Sequence, residues 1–182
     1  MIDQKPPFEL HPLLSRYFDE TPFLSLSEPS LIFDVGANIG QSVNAFSRIF
    51  PNSQFICFEP SPFCYDDLNS NLLDWSLSSR VKTEQLAISN YIGEAQFLNF
   101  LDNTTLSTLN PTSLNSPAEV LLQSKLHSGV TLRNNDVLTS NTIVNTTTLD
   151  HYCSLHGYKP YIIKIDVQGA ELSVLEGGMS TL

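Results

Sequence analysis

Cations are scarce in this chain: nine Lys and Arg stand against nineteen Asp and Glu in 182 residues, a formal net charge of −10. A polyanion is held by cations that displace its counterions, so this balance argues against a nucleic-acid partner. Cysteine is sparse too. Cys57, Cys64 and Cys153 have no Cys-x-x-Cys spacing and form no even framework, which reads as reduced thiols of an intracellular, cytoplasmic protein. No apolar run reaches the length needed to cross a bilayer, and the start has no charged head followed by an apolar signal core. A soluble protein without a membrane partner is expected, and the glycosylation patterns at Asn103 and Asn145 are read as chance. No His, Cys, Asp and Glu group has metal-ligand spacing, so no metal is expected.

What is present is an α/β rhythm. With 41% hydrophobic residues the chain can bury a core as one domain. Leu31 to Gly40 reads Leu-Ile-Phe-Asp-Val-Gly-Ala-Asn-Ile-Gly, an apolar strand ending in Asp34 and a glycine-bracketed turn at Gly36, Asn38 and Gly40. Val43, Phe46, Ile49 and Phe50 then recur at helical spacing until Pro51. A second strand, Gln54 to Glu59, leads through Pro60-Ser61-Pro62 to a helix carrying Leu68 and Leu72. Ser61 reads as that helix's cap. Strand, helix, strand, helix is the pattern of a parallel sheet.

Further along, a third strand is expected over Lys82 to Ser89, then a turn at Gly93 and a hairpin arm with Ala95, Phe97 and Asn99 alternating before Phe100. Residues 102–146, rich in Asn, Ser and Thr, read as a functional loop or lid. Thr146 to Asp150 suggests a helix start, Tyr161 to Val167 a strand, and Gly169 the opening of a helix with Leu172 and Leu175 on one side, closing at Gly177-Gly178. Residues 1–30 form an extension in which Pro12 to Phe18 suggests a capping helix.

The loop also says what it is built to hold. A dinucleotide loop takes Gly-x-Gly-x-x-Gly. Here Asn38 and Gln41 fall where the second and third glycines belong, and no basic residue lies between Asp34 and Arg48. Glu59, at the end of the second strand, is placed to accept hydrogen bonds from ribose hydroxyls. An adenosine ligand without phosphates follows. S-adenosylmethionine fits, its cationic part suited by the acidic strand end at Asp34.

Five blocks in order, Phe-Asp-Val-Gly-Ala-Asn-Ile-Gly (33–40), Phe-Glu-Pro (58–60), Ala-Ile-Ser-Asn (87–90) with Gly93, Thr-Thr-Leu-Asp (147–150) and Ile-Lys-Ile-Asp-Val-Gln-Gly-Ala-Glu (163–171), resemble the FkbM family of S-adenosylmethionine-dependent methyltransferases. The resemblance implies a Rossmann-like class I fold over residues 31–182, mostly parallel, with O-methylation of a small metabolite or sugar hydroxyl. It also implies that the block at Ala87 and Ser89 lines the adenine. Gln168 departs from the family, which often has Glu there. Against that fold the chain supplies only the early strands before Leu182, as if truncated, so the Tyr161 strand is expected to leave a sheet edge open to self-association.

Lys164 and Asp166, two apart on a strand, share a face. Either they form a structural ion-pair network with Glu171, or Asp166 positions or deprotonates the acceptor hydroxyl with Lys164 or Glu171 fixing it. His151 and His156 read as partly exposed helix residues. Two rival readings stay open: a nicotinamide-dependent oxidoreductase, and a non-catalytic truncated remnant that keeps a cofactor pocket.

Overall fold

A computed structural model describes residues 29–100, 107–109 and 139–182. Its centre is a four-stranded parallel sheet built from β1 (Leu31–Val35), β2 (Gln54–Phe58), β3 (Val81–Glu84) and β7 (Ile162–Ile165), in the order β3-β2-β1-β7. The run Leu-Ile-Phe-Asp-Val is nearly continuously apolar because β1 is buried on both faces. Ile32, Phe55 and Cys57 pack with Val43 of α1 (Gln41–Ile49) and with Leu68 and Leu72 of α2 (Pro62–Asp74). Phe33, Val35, Ile56 and Phe58 point the other way, onto Leu149 and Tyr152 of α3 (Leu149–His156) and Val174 of α4 (Glu171–Glu176). Helices cover the two faces of one sheet, the Rossmann-like arrangement.

The helix limits follow local chemistry. Pro51 cannot continue α1, which ends at Ile49. Thr148 caps α3, its hydroxyl accepting the amide of His151 at 3.0 Å. In α4 the buried residue is Val174, whereas Leu172 and Leu175 are exposed. The apolar side expected of Leu172 and Leu175 is therefore the outer one. Among the described residues, β7 has a strand neighbour only at β1, and Ile162, Ile163 and Ile165 are half-buried.

A second sheet holds β4 (Ala87–Ile88), β5 (Gly93–Phe100) and β6 (Thr139–Thr147), with β6 central, parallel to β4 and antiparallel to β5. Two expectations change here. The strand expected over Lys82 to Ser89 is two strands in different sheets: the chain leaves the edge of β2 after Glu84, and Leu86 and Ile88 turn into the core around Phe33 and Tyr152. The loop or lid read over 102–146 gives way at its end to β6, whose Val144 and Thr146 are buried while Ile143 and Asn145 face out. A strand that buries threonine and exposes isoleucine inverts the usual apolar alternation, which is why composition reads it as a loop. The remainder of that stretch, apart from 107–109, and the helix expected over Pro12 to Phe18 lie outside the described residues.

The chain after α4 fits closely against the end of β4. Gly177 has an ordinary helical backbone, but a Cβ there would overlap the carbonyl oxygen of Ser89. Backbone against backbone leaves little room to yield. Gly177→Ala should therefore destabilise the fold by about 1–3 kcal/mol, read as a lower urea midpoint at unchanged slope.

Candidate functional site

The carboxyl ends of β1, β2 and β7 open onto a cavity of about 210 Å³, whose far wall comes from the second sheet. Its polar end is assembled by the loop after β1. Gly36, at φ +77°, turns the chain so that its amide and that of Ala37 both donate to the Phe58 carbonyl at 3.0 Å. Asn38, at φ +51°, then donates its amide to Glu59 Oε2 at 2.8 Å, and the Ser61 amide donates to Oε1 at 2.9 Å. The loop and the end of β2 are thus stitched together, with Glu59 between them.

Glu59 is almost fully buried, and burial pushes its carboxyl up to about 7 although two amides favour the ionised form. Each carboxylate oxygen uses one acceptor direction on the backbone and keeps another. A pair of vicinal hydroxyls is the natural complement.

Asp34 takes a different place from the one expected. It is wholly buried and does not line the cavity. Register puts it directly beside Lys164, whose Nζ lies 2.9 Å from Asp34 Oδ1 and donates to the Gly36 carbonyl at 2.8 Å. The contact is an ion pair between opposite charges, one of them wholly buried. Burial raises the Asp34 carboxyl and Lys164 draws it back. Lys164 does line the cavity, as does Asp166, whose Oδ2 lies 3.9 Å from the ammonium. Gln168 donates its side-chain amide to Asp166 Oδ1 at 2.7 Å.

Of the sequence-derived site residues, Gly36, Asn38, Glu59, Ala87, Lys164 and Asp166 come together on the cavity, and Gly40, Ser89 and Glu171, like Asp34, do not. Gly40, at φ +96°, lets the chain turn into α1 where a side chain would press on Leu68 and Trp75. Ser89 donates its amide to the Thr147 carbonyl and is covered by Gly177. Glu171 accepts the amides of Val167 at 3.1 Å and Gly169 at 3.0 Å, so it ties its own loop and makes no pair with Lys164. The missing Cβ of Gly36 makes room for the Asp166 carbonyl, a requirement of the fold before that of any ligand. His156 stacks on Tyr158 away from the cavity.

Sequence reasoning missed Gln41 and Ser42, which a start of α1 immediately after Gly40 brings to the rim, and Phe97 and Leu109, which form the apolar wall. Phe97 alternates with Ala95 and Asn99 on β5, so its inward face was readable; what it faced was not. Among the described residues no group of three or more His, Cys, Asp and Glu stands close enough to hold a metal, and no helix is long and apolar enough to cross a membrane.

A parallel sheet in the order β3-β2-β1-β7, with its first loop and its second-strand carboxylate meeting over a cavity, defines the domain as Rossmann-like. Residues 34–182 match the methyltransferase FkbM domain, and the chain belongs to that family. It is 28% identical over 160 residues to methyltransferase sdnD of Sordaria araneosa, covering 84% of this chain and 62% of that protein. To the 2-O-methyltransferase NoeI of Sinorhizobium fredii it is 28% identical, over 84% of this chain and 58% of that one. With the 31-O-demethyl-FK506 methyltransferase FkbM of Streptomyces tacrolimicus the identity is 27%, over 85% and 61%. The chain thus spans about three fifths of the length of these relatives.

The ion pair is the site's structural weak point. Lys164→Ala should cost about 3 kcal/mol, because Asp34 is left buried without its counter-charge. An unpaired buried carboxyl keeps its proton to higher pH than in the unfolded chain. The folded variant therefore binds the extra proton, and its deficit should shrink as pH falls and grow as pH rises through the carboxylate range. Urea unfolding of both proteins across that range checks it, and a pH-independent deficit would contradict it.

Proposed function

We propose that this chain is the cofactor-binding part of an S-adenosylmethionine-dependent methyltransferase that acts on a hydroxyl oxygen of a small molecule. The observation that carries the reading is Glu59, a buried carboxylate anchored by the Asn38 and Ser61 amides and facing the cavity with acceptor capacity on both oxygens. Ribose hydroxyls would sit there. The base would lie beside Ala87 and Phe97, on the apolar side. The cavity suits a nucleoside without phosphates: its only described cation, Lys164, is engaged by Asp34 and the Gly36 carbonyl, while Glu59 and Asp166 are acidic.

When bound, S-adenosylmethionine supplies a methyl group activated by its sulfonium. The protein's part is to hold an acceptor oxygen in line and take its proton. Asp166 is the group for the second task. Its side chain is 56% exposed, lies at the cavity and is steadied by Gln168 on one oxygen and Lys164 near the other. The names of two relatives specify O-methylation, which supports an oxygen acceptor here.

Isothermal titration should show binding of S-adenosylhomocysteine and poor binding of nicotinamide dinucleotides; the reverse preference would favour an oxidoreductase. Glu59→Ala should weaken the interaction by about 1–3 kcal/mol. Ionised Glu59 accepts both hydroxyls and the protonated form loses acceptor capacity, so affinity should fall as pH drops through about 7. Glu59→Gln should remove that dependence. A wild-type affinity unchanged from one unit above that value to one unit below would take Glu59 out of the ribose site.

A further inference from the structure

The hydroxyl of Ser61 is misplaced for a helix cap. Ser61 occupies the N-cap position of α2, where a serine normally accepts an amide of the first turn, yet it makes no such bond. It donates instead to Asn99 Oδ1 on β5, at 2.7 Å, and both residues are 1% exposed. Asn99 is pinned in turn. Its amide nitrogen donates to the Ser140 carbonyl at 3.2 Å and to Thr142 Oγ1 at 2.9 Å, both on β6. The opposite end of the same residue pair is the Ser61 amide, which donates to Glu59.

We propose that Asn99 is a positioning residue for the ribose subsite: through Ser61 it fixes the amide that orients Glu59, so the second sheet sets how strongly the site distinguishes ribose from deoxyribose. This rests on the adenosine reading of the cavity. A buried asparagine with all three polar positions engaged has one orientation available. Ser61 is thus held at both its amide and its hydroxyl, by Glu59 and by Asn99. Phe97, two residues before Asn99 and on the same face of β5, lines the cavity. One strand therefore supplies the wall for the base and the brace for the carboxylate.

The test uses S-adenosylhomocysteine and its analogues lacking the 2′ or 3′ hydroxyl, titrated into the wild type, Ser61→Ala and Asn99→Ala. Ser61→Ala keeps the backbone amide and removes only the hydroxyl, so it decides the matter even if Asn99→Ala does not fold. The wild type should prefer the ribose ligand, and in the variants that preference should fall by about fivefold or more, with deoxy ligands bound nearly as before. A structural role alone would lower the unfolding midpoint and weaken ribose and deoxyribose ligands alike; that result, or a folded Ser61→Ala with the full wild-type preference, overturns the relay. A wild type that binds none of these ligands overturns the cofactor reading and the relay with it. A wild type that binds them all without preference overturns the ribose role of Glu59 and the relay, leaving the cavity's adenosine reading standing.

Discussion

The geometry of the site depends on one ion pair. Asp34 is fully buried in the inner strand β1, and Lys164 reaches it from β7 at the same level of the sheet. Neither charge is tolerable there alone. Together they fasten β7 to β1 where both strands end, and the lysine's bond to the Gly36 carbonyl holds the first turn of the loop as well. The approach is so close that residue 36 has no space for a side chain beside the Asp166 carbonyl. The loop conformation, the glycine that permits it and the placement of Asp166 are consequences of the same contact.

From that fixed loop the site is built at a junction between two sheets. Glu59 receives one amide from the loop after β1 and another from Ser61, and behind Ser61 stands the second sheet. Three separate stretches of chain therefore determine where one carboxylate points. Such over-determination keeps a buried acid in place by hydrogen bonds to the backbone.

Local patterns carried the sequence reading as far as local physics reaches. The apolar run of β1, the positive-φ turn at Gly36 and the acid closing β2 are properties of a few consecutive residues, and each stands where expected. The partners of charged residues are tertiary facts. Lys164 could be paired by sequence with Asp166 or Glu171, both near in the chain, yet its close partner lies on β1. Gly40, Ser89 and Glu171 belong to family-like blocks but are engaged in packing and loop closure, contacts that join residues distant in the chain or lie hidden in a loop's backbone. β6 escaped for a different cause: its buried side chains are threonines as well as valine, so the strand carries little apolar signal.

The wide separation of Asp34 and Lys164 bears on how the chain acquires its structure during synthesis. The lysine is encoded 128 residues after Gly36, whose carbonyl it binds. At ordinary translation speeds that is a delay on the order of ten seconds. Through that interval β1 and β2 can pair, but Asp34 has no Lys164 beside it and must keep either its water or a proton. Closure of the sheet around Asp34 therefore waits on the arrival of β7, however early β1 and β2 find each other.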